Sequence, residues 1–74
     1  MHANVKALTH WAIYKGYKMR ITERGAHEVQ GIFTTADGTI PFRYDAVRQL
    51  IYLENGTVQI NEYGWEMLKS ESNL

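Results

Sequence analysis

Between Tyr17 and Tyr44 the apolar residues fall on every second position, and this alternation limits what the chain can fold into more than any motif does. Tyr17, Met19 and Ile21 alternate with Lys18, Arg20 and Thr22; Val29, Gly31 and Phe33 form a second set; Ile40, Phe42 and Tyr44 form a third. A period of two puts successive side chains on opposite faces of an extended strand, so each set predicts a strand with one buried face. Turn residues separate them. "ERGA" follows the first set, and "ADG" at Ala36 to Gly38 is a hairpin signal between a strand over 28–35 and one over "TIPFRY". The three sets can merge into one buried face of an antiparallel sheet, with Gly31 leaving room for a large side chain. Pro41 cannot donate to a ladder, which predicts that the third strand is an edge or pairs on one side only. The reverse face then displays Lys18, Arg20, Gln30, Ile32 and Arg43, a mildly basic strip.

Ahead of the alternation lies a helical pattern. Asn4 suits an N-cap, Val5, Leu8, Trp11 and Ala12 share one face at helical spacing, and Gly16 stands where a left-handed C-cap belongs, so helix is expected over 4–15. "YDAVRQLIYLENG" reads two ways. As a helix it has Asp45 as N-cap, Ala46, Val47, Leu50 and Ile51 on one face, and Asn55-Gly56 as terminator; as a strand, "RQLIYL" pairs with "TVQIN" through "ENG". Agreement of capping with periodicity favours the helix. After a short strand at Val58 and Ile60, "NEYGWEMLK" is expected as a closing helix from Asn61 with Trp65 and Leu68 facing in, and 70–74 as a frayed tail. The predicted class is α+β in a single domain over 1–74: an N-terminal helix on three to four antiparallel strands, a second helix near 45–54 and a short C-terminal helix.

"ITERGAHEV" and "INEYGWEML" look like a repeat, since each runs through a Glu to a Gly after a strand-like segment. The segments that follow them do not match, so they are read as punctuation and not as a duplicated unit. The second resembles the segment after the wing of winged-helix DNA-binding proteins, but that family's three-helix core has no counterpart in the alternating middle of this chain.

Composition removes several function classes. The 74 residues include no cysteine, which excludes disulfides, thiolate metal sites and cysteine nucleophiles. No apolar run approaches the ~20 residues of a membrane span, and "MHANVKALTHWAIYK" lacks the apolar core of a secretory signal, so a cytoplasmic location is expected. The formal net charge of +0 hides a gradient. Residues 1–24 carry Lys6, Lys15, Lys18, Arg20 and Arg24 against Glu23, while 49–74 carry Glu54, Glu62, Glu66 and Glu71 against Lys69. Such polarity serves a charged contact surface or a second copy of the chain, or else the two ends neutralise each other in the fold. A homodimer would also supplement the small core of so short a chain.

His2, His10 and His27 make no metal-ligand spacing, and no phosphate loop or nucleophile elbow occurs. A catalytic reading would have to gather Tyr17, Glu23, Arg24 and His27 around the first turn as an acid–base cluster. The expectation is a non-enzymatic protein without cofactor or metal: a small regulator or inhibitor, of a kind that suits phage or bacteria, that binds a larger protein. Aromatic residues and arginines anchor such contacts. The candidate contact residues are Tyr14, Lys18, Arg20 and Arg43 on a basic surface, or Glu62, Tyr63 and Glu66 at an acidic end. The alternative is a nucleic-acid-binding regulator using the basic, aromatic segment 11–24, where Trp11, Tyr14 and Tyr17 interleave with Lys15, Lys18 and Arg20. Equal numbers of acidic and basic residues weigh against it, because phosphate binding needs a positive excess.

Overall fold

A computed structural model describes residues 2–67. One helix, α1 (Lys6–Lys15), precedes five strands: β1 (Lys18–Arg24), β2 (Glu28–Thr35), β3 (Gly38–Asp45), β4 (Leu50–Leu53) and β5 (Gly56–Gln59). The strands form one antiparallel sheet in chain order, β1-β2-β3-β4-β5. The α+β class and the single small sheet with its N-terminal helix agree with the sequence; the sheet has five strands in place of three to four.

The helix starts two residues later than the expected 4–15. Val5 occupies the N-cap position, and the Asn4 side chain accepts a hydrogen bond from the Lys6 amide at 2.9 Å. At the other end the amides of Gly16 and Tyr17 bond back to Ile13 and Ala12, which satisfies the last carbonyls of the helix and turns the chain directly into β1. The buried stripe Ala7, Leu8, Trp11 and Ala12 lies on the face of the sheet formed by Val29, Phe33, Phe42, Tyr44, Ile51 and Ile60. These are the alternating residues of the sequence, now in register: Met19 opposite Phe33 opposite Ile40, and Val29 opposite Tyr44 opposite Ile51 opposite Val58.

An aromatic stack forms the centre. The rings of Phe33 and Phe42 lie 4.2 Å apart and nearly parallel, and Trp11 sits over Phe33 at 5.3 Å. Gly31, paired with both Ile21 and Phe42, makes this possible. A Cβ there would run into the Arg20 carbonyl and come within 2.8 Å of the Phe42 ring. The third strand is not the edge that Pro41 predicts but the central strand, paired with β2 along its length and with β4 over Arg43–Asp45; Pro41 is accommodated because it lies opposite Ile32 and ahead of the β4 pairing.

The helix expected near 45–54 is a turn followed by a strand. Asp45 does cap, its Oδ1 accepting from the amides of Val47 and Arg48 at 2.9 and 3.1 Å. The Arg48 amide bond first, with the Val47 amide and the Arg48 and Arg43 charges, holds its carboxyl below the usual range against an opposing desolvation effect. The turn is not propagated, because Gln49 takes φ 58° and reverses the chain. Leu50–Leu53 then lies against β3 and pairs through Glu54–Asn55 with β5, which buries Ile51 completely between Tyr44 and Val58. A capped turn and a helix start share the same local hydrogen bonds, and here long-range pairing decides between them.

The closing helix expected from Asn61 is also absent over 61–67, and Leu68 and the 70–74 tail lie outside the described residues. Asn61 Oδ1 accepts from the amides of Tyr63 and Trp65, at 2.9 and 3.0 Å, and the Gly64 amide bonds back to the Asn61 carbonyl. The chain therefore doubles back, and Glu66 pairs with Ile60 as an antiparallel bridge.

Close packing at Gly31 makes a sharp test of this register. Gly31→Ala is expected to lower stability by about 2–3 kcal/mol through overpacking against backbone and ring. A shift of the urea midpoint to lower concentration with an unchanged slope would show it; an unchanged midpoint would contradict the Gly31–Phe42 pairing.

Candidate functional site

The returning segment creates the most distinctive surface of the molecule. Gly64 adopts φ 88° directly against α1, where a Cβ would meet the Ala7 carbonyl at 2.7 Å and His10 Cβ and the Trp11 amide nitrogen at 2.8 Å. Only a residue without a side chain allows the segment to lie this close while keeping a left-handed backbone. Glu66 then reaches the buried indole: Trp11 Nε1–H donates to Glu66 Oε2 at 3.0 Å, and Lys15 Nζ stands 3.3 Å from the same oxygen. Hydrogen bonding from Trp11, helped by Lys15, holds the Glu66 carboxyl below its usual range against an opposing desolvation effect.

This clamp places Trp65 outside. Its ring stacks on Tyr14 of α1 at 4.2 Å and 7° from parallel, yet Trp65 remains 55 % exposed and Tyr14 48 %. The inward position expected for Trp65 is thus corrected: the turn at Asn61–Gly64 directs Glu66, and not Trp65, toward the core. Met67, two residues along the extended segment and 52 % exposed, continues the same apolar side. Beside the stacked rings lies an open cavity of about 380 Å³ lined by Trp11, Tyr14, Lys15, Gly64, Trp65 and Glu66. A second cavity of about 440 Å³ lies between α1 and the turns at 46–49 and 61–63; His10 lines it, with its ring centroid 6.4 Å from that of Tyr14. Tyr44 lines that second cavity; burial pushes its phenol above the usual range, partly countered by a hydrogen bond with Gln49. Tyr63 lines it too, and a hydrogen bond with the Glu62 carboxylate raises its phenol.

The seven contact residues read from the sequence divide between two places. Tyr14 and Glu66 meet at the clamp, with Glu62 and Tyr63 in the turn that feeds it. Lys18, Arg20 and Arg43 occupy the sheet face away from α1, so Tyr14 does not join the basic strip. On that face Arg43 is engaged already, 3.5 Å from Glu28 and with its guanidinium 4.2 Å from the centroid of the Tyr52 ring.

Segment 11–24 is not one surface. Trp11 is 2 % exposed, and Tyr17 packs edge-on against it at 5.7 Å, leaving Tyr14 as the exposed ring of the three. Nor do Tyr17, Glu23, Arg24 and His27 gather: Tyr17 and the Gly25–His27 turn lie at opposite ends of β1, and Arg24 donates to the Ala3 carbonyl. Among the described residues no three His, Asp or Glu side chains come together as metal ligands. No helix among them is long and apolar enough to cross a membrane. Comparison with known protein families, curated proteins and solved structures gives no match to this chain.

Sequence reasoning missed Trp65 and Met67 as surface residues, and it placed Lys15 on a nucleic-acid surface and not beside Glu66. A signal was present in Asn61 and Gly64, whose side-chain cap and left-handed glycine mark a reversal as well as they mark a helix end.

The Glu66 clamp makes a pH-dependent contribution. A carboxyl whose folded-state value is lowered adds stability above its ordinary range and loses it as the pH falls through the depressed value. In a Trp65→Phe background, where Trp11 is the sole indole, Trp11 emission is expected to change as the pH drops through that window. Glu66→Gln should remove the transition and cost about 1 kcal/mol. A transition that survives the substitution would assign the titration to another group.

Proposed function

We propose that this protein is a non-enzymatic binding protein that acts by occupying a surface of a larger protein, with Tyr14 and Trp65 as its anchors. The observation that supports this reading is a pair of large rings stacked at 4.2 Å that are both half-exposed although each is packed against the other. Exposed aromatic side chains carry much of the energy of protein contacts, and rings already fixed by packing lose little entropy on binding. Gly64, the Asn61 turn and the Glu66 clamp supply that fixation. Lys15 and Glu66 neutralise each other at the rim, so the ledge is apolar at its centre and polar at its edge, as protein contact surfaces are. Glu62 and Tyr63 extend the polar margin.

A regulatory or inhibitory role fits such a module, since what it offers is a contact surface of fixed rings with a polar margin. The nucleic-acid reading has less support: two of its three rings lie inward, and Lys15 is paired with Glu66.

The test is capture of a partner from a lysate with immobilised wild type and with Trp65→Ala, each with and without nuclease. A protein retained by wild type through nuclease treatment, and weakened at least about tenfold by loss of the anchor, is the expected result. Retention that is indifferent to Trp65, or that disappears with nuclease, would overturn the reading. Unchanged far-ultraviolet circular dichroism of the variant keeps the comparison valid.

A further inference from the structure

The two edges of the sheet are treated differently. Beside β5 the returning segment bonds to the sheet end, the Met67 amide donating to the Gln59 carbonyl and the Asn61 amide to the Trp65 carbonyl. Along β1 no strand among the described residues pairs on the side away from β2. Among the described residues this edge's outward backbone donors and acceptors have no strand partner, and its side chains sort by face. Lys18 and Arg20 stand exposed on the open face of the sheet, while Met19 and Ile21, on the face covered by α1, are only half-buried. Their cross-strand neighbours on that face, Phe33 and Gly31, are fully covered. The core is thus unfinished at β1, and one more strand would complete it.

We propose that the β1 edge takes an extended segment of a protein partner as an added strand, and that the segment it fits alternates acidic with apolar side chains. Strand addition draws affinity from main-chain hydrogen bonds and specificity from alternate side chains. Acidic residues on the open face meet Lys18 and Arg20, which make no ion pair among the described residues, and apolar residues on the other face extend the Met19–Ile21 row. The shift in register between Ile21 and Glu23 bends the strand there, so Lys18–Ile21 is the straight part of the edge and the centre of the contact. A second copy is a poor occupant: two β1 strands side by side would oppose Lys18, Arg20 and Arg24 to the same cations, with Glu23 as the one acidic residue in each.

The probe is a fluorescein-labelled peptide of alternating glutamate and valine, seven residues long to match β1, titrated with the full chain and followed by anisotropy. Binding is expected to weaken about tenfold or more in Lys18→Glu/Arg20→Glu and with added salt. It should also weaken when the same residues are rearranged into a glutamate block and a valine block. Amide exchange at Met19–Ile21 should slow in the complex, and Trp65→Ala should leave the affinity unchanged, which separates this edge from the aromatic ledge. Four results would overturn the proposal: no binding, equal binding of the rearranged peptide, loss of binding in Trp65→Ala, or a dimer in sedimentation velocity that the charge reversals dissociate.

Discussion

The indole of Trp11 carries two requirements that no neighbour in sequence meets together. Its apolar body must be covered, which Phe33 and Tyr17 do, and its N–H must find an acceptor, which Glu66 supplies from 55 positions away. An indole buried without that acceptor would leave a polar group stranded, at a cost of about 1–3 kcal/mol. Meeting both requirements draws the segment after β5 back across α1, and the rest of the surface follows. Gly64 must have no side chain, Glu66 must turn inward, and Trp65 must turn out onto Tyr14. The exposed rings are therefore a consequence of how the core is closed.

The same contact answers the question raised by the charge gradient. Basic residues early in the chain and acidic residues late do meet, at Lys15 and Glu66, but only in part. Lys18 and Arg20 stay on the far face of the sheet, and Glu62 stays in the turn. The molecule is neutral in sum while its two faces keep different characters, a basic open sheet face and an aromatic helix side.

Legibility in the sequence depended on the range of the interactions involved. β1, β2 and β3 were readable because a half-buried strand imprints a period of two on its own residues, and Gly31 could be assigned to a crowded face before any partner was known. α1 was readable from spacing and from Gly16. Asp45–Leu53 was not, since Asp45 makes the same amide bonds in a turn as at a helix start, and the burial of Ile51 between Tyr44 and Val58 decides the outcome from outside the segment. Trp65 failed for the related reason that an Asn cap and a Gly fit both a helix and a reversal. Of the candidate site, Tyr14 and Glu66 were legible as residues but their juxtaposition was not, because it rests on the fold-back at Asn61–Gly64.

Strand order equal to chain order has a kinetic corollary. Each strand of the sheet pairs with the one before it, so the meander can assemble as a series of short hairpins, each closing a small loop. The Trp11–Glu66 contact closes a far longer loop and gains nothing until the helix is seated on a formed sheet. The segment that carries Trp65 docks only where helix and sheet have already met, so the stacked pair of rings is a product of the completed fold and of no hairpin within it.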